Sequence, residues 1–192
     1  MATRATVAKP IRWTVKDYFR MAEAGVFHGR RVELINGEVI EVPAQGHPHR
    51  VAITRTSRLL LATFGPTDWV VIQGTLALTR HWAPDPDFHV FDVPVGTPDD
   101  QLPIPLLAIE VSDTTYRTDS GIKLRAYAAA GIPDYWILNL RQDRVEVRHQ
   151  PENPTGRRSG WRYADVTHYG RGQQISPLRR PQVSFPVDAM LP

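Results

Sequence analysis

The sequence predicts one domain of mixed α and β structure, and three observations carry that expectation. Helical and strand periodicities alternate along the chain. Seventeen prolines and 13 glycines among 192 residues punctuate it too often for a helical bundle or coiled coil. The run Leu106 to Val111 is apolar and continuous enough for a strand covered on both faces. With 42% hydrophobic and 22% charged residues, the chain can bury a core, which excludes disorder throughout.

The elements follow in order. Thr14 and Asp17 form a capping-box pattern, and Val15, Tyr18, Phe19 and Ala22 recur at helical spacing, so a short packing helix runs to about Gly25. Arg31 to Ile35, the turn Asn36-Gly37 and Glu38 to Val42 read as a hairpin, because this dipeptide supplies the positive φ angles of a type I′ turn. Pro48 suits the first turn of a second helix that Gly65-Pro66 stops. Trp69 to Gln73, Thr75 to Thr79 and Asp87 to Asp92 are expected strands, the last after the corner Pro84-Asp85-Pro86. A proline-rich loop leads to the buried strand, and Asp119 to Ala130 is a helix closed by Gly131. Asp134 to Leu140 and Arg144 to His149 make a second hairpin, Arg162 to Thr167 is a further strand, and a weakly patterned tail ends the chain. The expected organisation is one domain over 1–192, with a core at about 14–150 and an Arg-rich extension at 151–192.

Composition narrows the chemistry. The chain has no cysteine, so disulfide frameworks, thiolate metal sites and a Cys nucleophile are excluded, and any metal must sit on oxygen or imidazole. Met1 to Trp13 lacks the apolar stretch of a signal peptide, and no apolar run approaches the roughly 18 residues of a membrane span. A soluble cytoplasmic protein without a membrane partner is the expectation. The formal net charge is +3, but residues 141–192 carry nine arginines against five acids. That local excess suits a polyanion such as nucleic acid as well as a solvated face. Only Lys9, Lys16 and Lys123 are lysines, against 20 arginines, which singles out Lys123 because a compact ammonium does chemistry that guanidinium does not.

Several residues are out of place for mere packing. Glu110 near the end of the buried strand needs a cationic partner to offset lost hydration. Asp87 enters the strand after the proline corner, where loops meet. Asp119, Lys123 and Tyr127 are spaced by four, on one side of the helix that follows. Glu33 alternates with Val32 and Leu34 and is expected in solvent. His49 reads as a surface or capping residue. Glycine-rich phosphate loops, HExxH and GxSxG are absent, so nucleotide hydrolysis, zinc proteolysis and α/β-hydrolase chemistry have no motif to rest on.

Taken together these pieces resemble the PD-(D/E)XK nuclease superfamily, and within it the bacterial Uma-two branch of restriction endonuclease-like proteins. The resemblance spans about Thr14 to Arg148. It is carried by Glu33 to Glu38, His49, Pro86-Asp87, and above all by Ala108 to Ser112 through Asp119, Lys123, Tyr127, Gly131 and Tyr135-Trp136-Ile137. It implies a restriction-endonuclease-like α/β core, a central mixed four-stranded sheet flanked by helices, with additional hairpins. It also implies cleavage of phosphodiester bonds in DNA with Mg²⁺ or Mn²⁺, and frequent homodimers. On this resemblance Asp87, Glu110 and Glu33, with the Val111 carbonyl, would hold the metal, and Lys123 would position water and stabilise charge on the phosphate. Asp119, Tyr127 and His49 would support the site. The superfamily lysine would fall at Ser112, and the Uma-type branch instead places it on the next helix. Arg141, Arg144, Arg157, Arg158 and Arg162 are candidates for backbone phosphates. The competing expectation is a nuclease-fold binding or assembly module that makes no cuts.

Overall fold

A computed structural model describes residues 9–65 and 67–192. Residues 1–8, part of the segment read as leaderless, and Pro66 of the expected Gly65-Pro66 stop lie outside the described residues. The chain forms two compact units, one of residues up to Pro43 with Ala77–Pro84, the other of Ala44–Leu76 with Asp85–Pro192.

In the first unit, α1 (Val15–Glu23) opens with the expected capping box: the Asp17 N–H donates to Thr14 Oγ1 and the Thr14 N–H to Asp17 Oδ2, each at 3.1 Å. Strands β1 (Val32–Ile35) and β2 (Glu38–Glu41) pair antiparallel around Asn36 and Gly37, whose φ values of 53° and 81° fit the type I′ turn. Ala83 exchanges backbone hydrogen bonds with Leu34 at 2.8 and 3.2 Å. Tyr18, Leu34 and Ala83 form the small core. The expected strand at Thr75–Thr79 is absent: Thr79 alone makes a bridge, to Trp82. Leu76 belongs to one unit and Ala77 to the other, so this segment is a connection, and its β-branched residues have no neighbouring strand to pair with.

The second unit is built on a six-stranded mixed sheet, two strands wider than the expected core. Its helix α2 (His47–Thr63) has Pro48 in the first turn. The strands are β3 (Trp69–Ile72), β4 (Phe88–Phe91), β5 (Leu107–Ser112), β6 (Asp134–Asn139), β7 (Arg144–Glu152) and β8 (Arg162–Gly170), in that spatial order. Only β5 and β6 are parallel. Between them run α3 (Tyr116–Thr118), a π-turn at Asp119–Lys123 and α4 (Leu124–Ala129). Gly131, at φ 78°, closes α4, and the Ile132 N–H reaches back to the Tyr127 carbonyl at 3.1 Å.

Alternation along the strands gives this sheet two unlike faces. Phe88, Val90, Leu107, Ile109, Val111, Trp136, Leu138, Val145 and Val147 share one, packed with Ala52, Leu60 and Phe64. Each such fully buried large side chain contributes roughly 1.5–3 kcal/mol. The tail completes that core through Ile175, Phe185, Val187, Met190 and Leu191, with β9 (Gln174–Ile175) pairing β10 (Phe185–Pro186). Residues 151–192 are thus integral to this unit. The opposite face carries Glu110, Ser112, Tyr135, Asn139, Arg144, Glu146 and Arg148, matched across strands by register. No helix among the described residues is long and apolar enough to cross a membrane.

Candidate active site

The site forms where β4 begins beside β5. Phe88 pairs with Ile109, so the next rung sets Asp87 opposite Glu110. Just past the last paired residues, the Val111 N–H donates to Asp87 Oδ2 at 2.8 Å. The N–H and carbonyl of one strand residue leave on the same edge, so the Val111 carbonyl is directed to the Asp87 side, whereas the Ser112 carbonyl accepts from the Leu140 N–H at 2.9 Å on the opposite edge. Gln73 Nε2 donates to Asp87 Oδ1 at 3.3 Å.

Glu110 is 3% exposed and Lys123 6%. Their side chains meet at 3.1 Å, Lys123 Nζ donating to Glu110 Oε1, and the Tyr127 hydroxyl donates to the same oxygen at 2.7 Å. The exposed Asp119–Lys123 pair that plain helical spacing allows is therefore not what forms: all three polar residues of the helix are buried. Two hydroxyls and the ammonium surround Asp119. Burial pushes its carboxyl above the usual range, against the pull of Lys123, Ser112 and Thr115. The Tyr127 and Tyr135 rings lie 4.9 Å apart, and Tyr135 stacks on Tyr163 at 5.8 Å. Burial raises the Tyr135 phenol well above its ordinary value, with Glu110 adding to the shift, so its hydroxyl keeps the proton that it donates.

His49 departs from expectation. It lies on the buried stripe of α2 with Ala52, Thr56 and Leu60, and its Nε2 is 3.2 Å from Asp87 Oδ2. The i, i+3, i+7, i+11 spacing of those four residues was the sequence signal for its burial. Glu33 is likewise buried, at 4% exposure rather than in solvent, because β1 is covered on both faces. It belongs to the first unit.

The candidate arginines divide. Arg144 is bound to Glu146 at 2.9 Å, and Arg162 to Glu152 at 2.7 Å. Arg141 lies 3.6 Å from Asp113, mostly exposed, and Arg157 and Arg158 are exposed. Sequence reasoning missed Arg148, which joins Arg144, Tyr116 and Asn139 around Glu146. Glu146 is fully buried. Burial alone would raise its pKa, but Arg144, Tyr116 and Arg148 outweigh that and hold it below the usual range. The signal was a lone Glu between two Arg at period-2 spacing.

The family described as "Uma2: Putative restriction endonuclease" matches residues 15–187. The chain belongs to this family. A solved structure from Anabaena variabilis ATCC 29413, described as a "putative nuclease belonging to DUF820", is similar with a TM-score of 0.69 at 13% identity, over 94% of this chain and 97% of that one. That likeness is one of fold. No curated protein matches the chain. In this Uma2 chain the match takes in every candidate site residue from Glu33 to Arg162, so the nuclease-like α/β fold and the restriction endonuclease family expected from the motifs are both found.

Among the described residues no group of three or more His, Asp or Glu is placed to hold a metal. The donors beside one another include two carboxylates, Asp87 and Glu110, and one backbone carbonyl, that of Val111, with His49 Nε2 against Asp87. The hard oxygens of this set suit Mg²⁺ or Mn²⁺, which take one or two protein carboxylates and fill the rest of the shell with water and substrate phosphate.

Proposed function

We propose that the protein is a divalent-metal-dependent endonuclease that hydrolyses phosphodiester bonds of DNA. The observation that supports it most is the adjacency of Asp87, locked on the Val111 amide, to Glu110, held by Lys123 and Tyr127. Two carboxylates on neighbouring strand ends, with an ammonium beside one of them, are hard ligands next to a charge stabiliser. Mg²⁺ or Mn²⁺ bound by Asp87, Glu110 and the Val111 carbonyl would polarise the phosphate and acidify a water. The chain's own residues do the rest. The Val111 N–H and Gln73 fix the Asp87 carboxylate plane, and Tyr127 fixes that of Glu110, so neither must reorganise. Lys123 supplies three donors and a compact positive charge to the attacking water and to the charge growing on the phosphate. Its near-complete burial strengthens that charge, because little water competes with it. The exposed Arg141, Arg157 and Arg158 are available to backbone phosphates.

The test is nicking of supercoiled plasmid in Mn²⁺, with EDTA as control, by the wild type, Glu110→Ala and Asp87→Ala side by side. Wild-type nicking that both variants lose is the expected result. Retention of plasmid by the wild type with no cleavage in Mg²⁺ or Mn²⁺ would instead identify a binding module.

A further inference from the structure

Asp119 is 2% exposed, and its two oxygens are used differently. Ser112 Oγ and Thr115 Oγ1 both donate to Oδ2 at 2.6 Å, while Oδ1 lies 3.9 Å from Lys123 Nζ. Two hydroxyl donors thus converge on one carboxylate oxygen. They fix the plane of the carboxylate and leave Oδ1 turned to the lysine. The Tyr135 hydroxyl donates to the Asp119 carbonyl at 3.0 Å and pins the backbone as well. Lys123 therefore stands between two carboxylates, Glu110 at 3.1 Å and Asp119 at 3.9 Å.

The π-turn makes this arrangement possible. In an ideal α-helix each residue turns about 100°, so Tyr127, eight residues on, would point about 80° away from Asp119. A π-turn closes its bonds one residue later and turns less per residue. With it placed at Asp119–Lys123, Asp119, Lys123 and Tyr127 come onto one side, where Lys123 and Tyr127 share Glu110 Oε1.

We propose that Asp119 is the positioning residue for Lys123: it holds the ammonium in the site whenever Glu110 is engaged by another cation. Glu110 Oε1 already accepts from Lys123 and Tyr127, so a divalent ion on that oxygen would compete with the ammonium for it. A second carboxylate gives the long, flexible side chain a fixed neighbour beside the phosphate it must meet. Ser112 and Thr115 set that second carboxylate in advance, so the lysine has a defined place in both conditions. The inference rests on the nuclease reading for its purpose, but the hold of Asp119 on Lys123 is measurable without it.

The chain has only three lysines, so ¹⁵N-lysine labelling gives at most three ammonium signals, and Lys123→Met identifies the one from Lys123. Glu110→Gln removes the competing carboxylate without any metal. The Lys123 ammonium should stay protected from exchange in Glu110→Gln, and exchange about tenfold faster or more in Glu110→Gln/Asp119→Asn, the loss expected when a buried charge partner is removed. Melting curves confirm that each variant is folded. Loss of protection in Glu110→Gln alone, or its persistence in the double variant, would overturn the proposal. In nicking assays Asp119→Asn should cut slowly, and Asp119→Asn/Lys123→Met should be no slower than Lys123→Met, because Asp119 acts through the lysine. Losses that multiply would overturn it. A wild type that cuts nothing ends the nuclease reading and leaves the exchange measurement to decide the role of Asp119.

Discussion

Lys123 shows what composition alone could suggest and where it stopped. In a chain that uses arginine for 20 of its 23 basic residues, a lysine on a polar helix side was conspicuous, but nothing local told that it would be buried against Glu110. The pairing spans 13 residues and depends on the helix folding back over the sheet. Its burial also makes the choice of cation consequential. Lys123→Arg keeps the charge but puts a planar, longer head between Glu110 Oε1 and Asp119 Oδ1. It is expected to cost about 1–3 kcal/mol from overpacking and to slow plasmid nicking on the order of a hundredfold. DNA retention should be nearly unchanged. Thermal melts, gel retention and nicking rates on one preparation check all three, and full cleavage by the arginine variant would remove Lys123 from the chemistry.

Elements whose signals are local were legible. The β1–β2 hairpin followed from Asn36-Gly37, α1 from its Thr14–Asp17 box, β5 from an apolar run, and the end of α4 from Gly131. Elements that depend on distant partners were not. Thr75–Thr79 has strand composition and no strand beside it, and the tail looked unpatterned because its apolar residues complete a core assembled elsewhere. The π-turn at Asp119–Lys123 was also invisible, since no residue type marks it. It can be tested directly. Deleting Gly121, which lies within it, would leave seven steps of about 100° between Asp119 and Tyr127, so continuous α structure would hold the two within about 20° of one another. The expected outcome is a folded protein by circular dichroism that still nicks plasmid, because the alignment survives without the π-turn. A lost rate in the folded variant would mean that the π-turn does more than align these residues.

The two sheet faces of the second unit are tied by different means, apolar packing on one and polar networks on the other. The tail is also held by charge. Asp134, 1% exposed, accepts from the Leu178 N–H at 2.8 Å and meets His149 Nε2 at 2.9 Å, while Asp165 lies 3.9 Å from His149 Nδ1. The hydrogen bond to Asp134 raises the His149 pKa above the ordinary 6.5. A raised folded-state value gives a contribution fully present below pH 6.5 and lost as pH climbs through the higher folded value. The melting temperature should therefore carry a downward component over that window, and His149→Gln should flatten it. An identical pH profile in the variant would show that the clamp carries no weight.

The Val111 amide gives Asp87 a second duty whose consequence is evolutionary. Because its side chain accepts a strand N–H just beyond the last paired residues, the residue proposed to serve the reaction also caps the sheet. Asp87→Ala leaves a buried N–H unpaired, a loss of about 1–3 kcal/mol, whereas Asp87→Asn keeps an acceptor and surrenders only charge. Melting temperatures should rank Asn above Ala while neither variant cuts. A lineage that gave up cleavage would thus be steered by its own fold toward asparagine at position 87, and an inactive descendant would be recognised by an amide in that place rather than by a gap.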